Sequence, residues 1–238
     1  MSGEIKLRRF SSTDADFDSK LKALLAFETA QDDSIDEVVA NILKDVKKRG
    51  DAAVLEYTNR FDKTNAQSLL ELEIPQAVTT QGFITAHERG AITILNPAPF
   101  AEISPELIAV SDWIIPNETE FAGMHPQGVE PTSDEIILEL AATLKTRFAV
   151  TLGDKGAALT TLDGKVVRVS APKVKALDTT GAGDAFVGSF AYALSIGLPE
   201  VAALTLGCAC ASDSVTRRGT QSSYPTRAQV EVILARTL

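Results

Sequence analysis

The chain has 238 residues, 45% of them hydrophobic, and a formal net charge of −9 from 23 Lys and Arg against 32 Asp and Glu. The apolar content supports a folded core rather than disorder, and the acidic balance, with a pI near 4.8, opposes a nucleic-acid partner. No run approaches the roughly eighteen apolar residues of a membrane span, no signal-peptide core follows Met1, and two cysteines with two histidines are too few for a disulfide framework or a metal cage. The expectation is a soluble, cytoplasmic protein that engages neither membrane nor nucleic acid.

Residues 1–74 contain no proline and only Gly3 and Gly50, whereas all ten prolines lie from Pro75 onward. Helices exclude proline and disfavour glycine, so the first stretch is expected to be helical and the rest to alternate strands, helices and tight turns. Ile5–Phe10 has the composition of a strand. Ser11–Asp14 supplies a cap for an amphipathic run over 14–27 through Phe17, Leu21, Leu24 and Leu25. Ser34 and Glu37 have capping-box spacing and open the stripe Val38, Val39, Ile42, Leu43, Val46, which predicts a helix over 34–49 stopped by Gly50. Asp51–Phe61 repeats the pattern. The acids and lysines of these helices read as solvated faces.

From Leu69 the rhythm changes. Leu69–Ile74 is expected as a strand, Gln76–Arg89 as a helix ended by Gly90, and Ala91–Leu95 as a strand running into the Asn96-Pro-Ala-Pro turn. Trp113–Ile115 predicts a strand, Ser133–Lys145 a helix and Phe148–Leu152 a strand, followed by a hairpin turning at Asp163-Gly164. Helices are expected from Gly181, from Pro199 and after Pro225. This alternation predicts an α/β fold with a mostly parallel, doubly wound, Rossmann-like sheet, behind a helical N-terminal segment.

The strongest chemical signal is Asp178-Thr-Thr-Gly-Ala-Gly-Asp184-Ala-Phe at the start of a long apolar helix. Small residues at Gly181, Ala182 and Gly183 let backbone N–H groups crowd around one point at a helix N-terminus, an arrangement suited to a phosphoryl group in transfer. Asp184 falls in the first turn, where a carboxylate can take a proton from an attacking hydroxyl. A plain Gly-rich helix cap with a dipole-favoured acid would share these residue types. No Gly-x-x-x-x-Gly-Lys-Ser/Thr occurs, which excludes a Walker-type NTPase on motif grounds. Cys208 and Cys210, two residues apart, read as buried-helix residues.

This nonapeptide, with NPAP, Asn117-Glu-Thr-Glu120, VTLGDKGA and SVTRRGTQSSYPTR, resembles the signatures of the ribokinase-like carbohydrate kinases, the PfkB family, from about residue 70 to the end. The resemblance implies a partial ribokinase-like sheet and ATP-dependent phosphorylation of a pentose, with Mg2+ and K+. It implies Asp184 as catalytic base, also touching substrate, and Gly181, Ala182 and Gly183 as anion hole. Asn117 would organise phosphates and Glu120 hold Mg2+ through water. Thr151, Leu152, Gly153, Asp154, Lys155 and Gly156 would grip the nucleotide, with Gly183 and Asp184 against the phosphates and Cys208 at the adenine side. Asp178, Thr180, Ser214, Arg217, Gly219 and Ser223 match positions enclosing K+, mostly through backbone oxygens. Glu73 matches a sugar-side glutamate.

Residues 5–74 resemble instead the N-terminal stretch of histidinol dehydrogenases, through RRFSSTDADF and VVANILKDVKKRGDAAVLEYTNRFD. The resulting expectation is a fusion, with residues 1–74 a dehydrogenase-like helical segment and 75–238 an ATP-binding half-domain lacking the family's N-terminal sugar-binding half and lid. Such a chain is expected to bind nucleotide without phosphorylating ribose. A nucleotide-binding or interaction module and an inactive fusion product are the alternatives, and a dehydrogenase-related role comes last. It is also expected to self-associate through a sheet edge exposed at Leu69–Ile74 and Ala91–Leu95.

Overall fold

The computed structural model describes residues 33–237 together with Phe17 and Ser19, both helical. The expected strand at Ile5–Phe10, the cap at Ser11–Asp14 and most of the 14–27 run lie outside the described residues. The chain divides into two compact units, Met1–Glu73 and Ile74–Leu238.

In the first unit, α1 (Asp33–Arg49) and α2 (Asp51–Phe61) are separated by Gly50, whose φ of 58° ends one helix and starts the next. Arg49 bridges Asp45 and Glu56, and Tyr57 donates to Asp45 at 2.9 Å. The Arg49 guanidinium, and after it the Tyr57 hydroxyl, hold the Asp45 carboxyl down at about 2.

The expected strand at Leu69–Ile74 is corrected: Leu69–Leu72 forms a 3-10 turn. Its donors are satisfied locally, Glu71 N–H to Ser68 O and Glu73 N–H to Leu70 O, both at 3.3 Å. The Glu71 carboxylate also accepts the Gln67 N–H at 3.0 Å. Alternation of Leu and Glu specifies a strand only where a neighbouring strand takes up the backbone groups.

The second unit opens with α3 (Gln76–Glu88). Its sheet runs in the order β1 (Ile94–Leu95), β2 (Trp113–Ile114), β3 (Arg147–Thr151), β4 (Ala157–Thr160), β5 (Val166–Val169). The first three strands are parallel, joined through α4 (Pro105–Ala109), α5 (Glu118–Met124) and α6 (Asp134–Leu144), while β3, β4 and β5 form an antiparallel meander. The sheet is therefore mixed. β1 is shorter than expected because Thr93 turns its N–H to the Asp112 carboxylate at 2.7 Å and its hydroxyl to Val110 O.

Both faces of the sheet are covered. Trp113, Ile115, Ala149 and Leu159 point to one layer with Phe186, Phe190, Leu204 and Leu206 of α7 (Ala182–Ser195) and α8 (Glu200–Ser214). Ile114, Phe148, Val150 and Ala158 point to the other with Phe121, Ile137 and Leu140 of α5 and α6. The period-two alternation along each strand divides these residues between two cores. α9 (Arg227–Thr237) adds Val230, Ile233 and Leu234 to the first layer.

Gly156, between β3 and β4, has φ 107°, and a Cβ there would lie 1.9 Å from Val169 O. Gly156→Ala is expected to destabilise the second unit by about 3 kcal/mol or more through backbone clash and strain. Gly188→Ala, on an exposed helical position with nothing within 4 Å, should be neutral or stabilise by up to about 1 kcal/mol. Urea unfolding of the two variants checks this; equal stabilities would refute the close approach at Gly156.

Candidate active site

The parallel strands β1 and β2 run out at one end of the sheet into Asn96 and Ile115, and β3 ends at Thr151 beside them. The crevice beyond such strand ends is where α/β sheets gather loops and helix N-termini. Here it is a cavity of about 210 Å³ whose wall brings together Thr151, Asn117, Glu120, Gly181, Gly183 and Asp184, with Asn96, Ala98, Ile115 and Val187 completing it.

The N-terminus of α7 supplies the donor end. Gly181 takes φ 80° as N-cap of a 14-residue helix whose first turn lines the cavity through Gly183 and Asp184, while the Ala182 N–H is taken up by Thr179 O at 3.2 Å. Gly181 and Gly183 differ in kind. A Cβ on Gly181 would come within 2.7 Å of the Tyr224 hydroxyl, whereas a Cβ on Gly183 would meet nothing within 4 Å. Gly181 is therefore required by the fold, and Gly183 leaves space that the fold does not fill.

Asp184 is exposed in the first turn of α7, and the Tyr224 hydroxyl donates to its Oδ2 at 3.2 Å. Burial, then the adjacent Asp184 carboxylate, pushes the Tyr224 phenol above its ordinary value, keeping it a donor. Sequence reasoning assigned Tyr224 no role: it stands 40 residues from Asp184, and no local spacing links them.

Asn117 and Glu120 form a complete capping box at the start of α5. The Asn117 side chain accepts the Glu120 N–H at 2.8 Å, and Glu120 Oε2 accepts the Asn117 N–H at 2.9 Å. Glu120 is 7% exposed and lines the cavity. A buried carboxylate in a cavity wall, with one oxygen engaged, fits a hydrated Mg2+ held through water.

Of the expected nucleotide grip, Thr151 reaches the cavity wall, and its N–H donates to Pro116 O at 2.9 Å. Leu152 is buried, Gly153–Lys155 is a short exposed 3-10 turn containing Asp154, and Gly156 is taken up by its approach to Val169. Lys155 Nζ lies 3.4 Å from Glu118. Cys208 is placed in the first core layer at 4% exposure, and burial pushes its thiol up to about 12. Glu73 is exposed at the last position of the first unit.

The expected cation residues bring two loops together. Asp178 accepts N–H bonds from Thr180 at 3.0 Å and Gly219 at 2.9 Å, and the Thr180 side chain, then the Gly219 and Thr180 N–H groups, hold its carboxyl down at about 2. Arg217 pairs with Asp213 and donates twice to Ser223 O, at 2.7 and 3.2 Å. Ser214 and Ser223 are buried, their hydroxyls turned to Ala211 O and Thr220 O. Arg217 is thus paired with Asp213, while the ionised Asp178 has Arg218 near it and gives its two oxygens to the Thr180 and Gly219 N–H groups.

A pfkB family carbohydrate kinase model matches residues 28–227. Ribokinase of Schizosaccharomyces pombe is 33% identical over 168 residues, 68% of this chain and 53% of that protein. The structure of Arabidopsis thaliana ribokinase complexed with ribose and ATP superposes with a TM-score of 0.63 at 31% identity, over 68% of this chain and 53% of that one. The chain thus spans about half the length of the ribokinases it matches. Histidinol dehydrogenase of Burkholderia pseudomallei is 58% identical over 73 residues, 31% of this chain and 16% of that enzyme. The expected fusion is corrected by the family match, which begins at residue 28 and runs through the seam at 74 as one continuous domain. The composition change at Pro75 follows the change from helices to mixed structure, and a family boundary need not coincide with it.

Asp178 carries a folded-state value near 2 against an ordinary 3.8. A depressed carboxylate contributes stability that is full above the ordinary value and lost as pH falls through the folded one. Hydrogen-exchange protection of the Gly219 amide should therefore hold down to about pH 4 and vanish toward about pH 2. Asp178→Asn should lose it at neutral pH. Protection persisting in that variant would show that the Asp178 carboxylate does not hold the loop.

Proposed function

Because the chain belongs to the pfkB family of carbohydrate kinases, whose model it matches over residues 28–227, we propose that it binds Mg-ATP and carries the phosphoryl-transfer side of a ribokinase-type sugar kinase. The observation that supports this reading is the convergence of the α7 N-terminus, Asp184, Asn117, Glu120 and Thr151 on one cavity at the strand ends.

In this reading ATP lies over Thr151–Gly156 with its phosphates against Gly181–Gly183. Glu120 would hold Mg2+ through water, with Asn117 ordering the phosphates, and the ion would supply charge neutralisation there. Asp178, Thr180, Ser214, Arg217, Gly219 and Ser223 would be the positions around a K+, beside the two loops that Asp178 ties together. The backbone N–H groups opening α7 meet the charge that develops on the phosphoryl oxygens. Asp184 takes the proton from an acceptor hydroxyl of a pentose, for which ribose is the first candidate. Tyr224 occupies Oδ2, which directs that hydroxyl to Oδ1. Glu73 is the one residue of this sequence matched to a sugar contact. Orientation of the acceptor is worth roughly 7–11 kcal/mol of barrier. The chain by itself is therefore expected to turn over ATP slowly and without dependence on ribose.

Gly183→Val tests the nucleotide site cleanly, since the position is open and the variant should fold. Calorimetric titration with Mg-ATP is expected to show affinity reduced at least about tenfold, as a branched side chain blocks the approach of the phosphates, at an unchanged melting temperature. Equal affinity would place the nucleotide elsewhere.

Asp184→Asn tests the base. In a coupled ADP assay with Mg2+ and K+, the parent should release ADP slowly and the variant about a hundredfold more slowly. Equal rates would remove Asp184 from the chemistry. ADP release that requires ribose and is lost in the variant would establish a complete kinase in this chain.

A further inference from the structure

We infer that Asn96 is a positioning residue for the cavity: its carboxamide fixes the Ile115 carbonyl and, through it, the Asn117–Glu120 cap. The inference rests on the kinase reading and extends it to a residue that the sequence marked only as the start of a turn. The need for Asn96 arises in the backbone. β1 and β2 are parallel, and along them the Trp113 N–H donates to Thr93 O at 3.1 Å and the Ile115 N–H to Leu95 O at 2.8 Å. The bonds of a parallel ladder are evenly spaced, so the next one would run from the N–H of residue 97 to Ile115 O. Residue 97 is proline, which has no N–H and ends the pairing. The carbonyl of Ile115, a residue 1% exposed, thus loses its ladder donor at the point where the sheet opens. Asn96 Nδ2 replaces that donor, reaching Ile115 O at 2.7 Å. The orientation of the amide follows, since a carbonyl can only accept.

The next carbonyl is held from the other side, where the Thr151 N–H donates to Pro116 O at 2.9 Å. With Ile115 O tied toward β1 and Pro116 O toward β3, the two peptide units leading into Asn117 keep one orientation. Asn117 is thereby presented to Glu120 in the geometry the cap needs, with its N–H on Glu120 Oε2 at 2.9 Å and its Oδ1 taking the Glu120 N–H at 2.8 Å. Asn96 is itself anchored. The loop it opens continues to Phe100, whose ring lies on Gly123 of α5, where a Cβ would stand 2.6 Å from it. The same loop therefore meets α5 ahead of its first turn and again near its last. Asn96, Asn117, Glu120 and Thr151 all line the cavity, so a shift of this segment reaches the site directly. Groups that orient a metal-holding carboxylate typically change metal affinity ten- to a hundredfold when removed.

Two measurements on the full chain test it. Hydrogen exchange at the Asn117 and Glu120 amides reads the cap without any ligand. In Asn96→Ala these amides should exchange at least about fivefold faster than in the parent, as the loss of one hydrogen bond allows, while the β3–β4 ladder keeps its protection. Asn96→Asp, which keeps the size of the side chain but not the donor, should do the same. Titration with ATP, in Mg2+ and then in EDTA, reads the site: the gain in affinity that Mg2+ brings should fall about tenfold in Asn96→Ala. Unchanged exchange at Asn117 and Glu120 would overturn the inference. Protection kept in Asn96→Asp would also overturn it, since packing rather than the donor would then hold the segment. A loosened cap with an undiminished Mg2+ gain would show that the cap does not bear on the site, and loss of protection throughout the ladder would mark a general structural role; either defeats the inference. A parent that binds no Mg-ATP would refute the kinase reading and the positioning role with it, and the exchange data would then still show whether Asn96 holds the cap.

Discussion

Gly181 turns with φ 80° immediately before α7, and the Tyr224 hydroxyl stands 2.7 Å from where its Cβ would be. This crowding allows the helix to begin at the mouth of the cavity. With any side chain at 181, the strained turn would open and Tyr224 would be displaced from Asp184. The donor end of the helix and the carboxylate would then no longer face the same space. The site's electrostatics depend on the same turn, because the N–H groups left unsatisfied by helix geometry sit at its first residues.

The location of that helix is decided by burial. β2 and β3 are covered on both faces, and Phe186 and Phe190 anchor α7 to one of them beside Trp113, which meets Phe190 edge-to-face at 5.3 Å. Arg147 stacks on the outer side of the same indole at 4.1 Å and pairs with Glu200, fixing the start of α8. Apolar packing thus holds α7 along the sheet, and the length of helix from Phe186 back to Gly181 brings the polar turn to the strand ends. The chemistry is placed by residues that take no part in it.

The two loops tied by Asp178 are a second such device. One carboxylate, held well below its ordinary value, fixes Gly219 across a sequence gap of 41 residues. Arg217 closes the turn that precedes Tyr224 by binding Ser223 O. The candidate cation loop and the candidate base are therefore neighbours in space through Tyr224, which gives the loop's order a direct path to the Asp184 carboxylate.

Much of this was legible from the sequence. The Gly181–Asp184 turn opening an apolar helix, the capping box at Asn117 and Glu120, and the helices at Asp33–Arg49 and Asp51–Phe61 are local patterns, set by residues within four positions of one another. The resemblance of residues from about 70 onward pointed to the right family, but the family match extends further toward the N-terminus than the composition seam suggested. Residues whose roles depend on distant partners were not legible. Leu69–Ile74 alternates like a strand, yet its backbone groups are satisfied within a 3-10 turn. Gly156 looks like part of a phosphate-gripping loop, and only the approach of Val169 O shows that its own backbone requires it. Tyr224 lies within the SVTRRGTQSSYPTR segment but carries no assignable role there, because its hydrogen bond to Asp184 exists only once α7 and the C-terminal loop are packed on the same sheet. Local spacing determined which turns and helices form; tertiary packing decided which side chains share a cavity, since burial on both faces of the sheet leaves only the strand ends open.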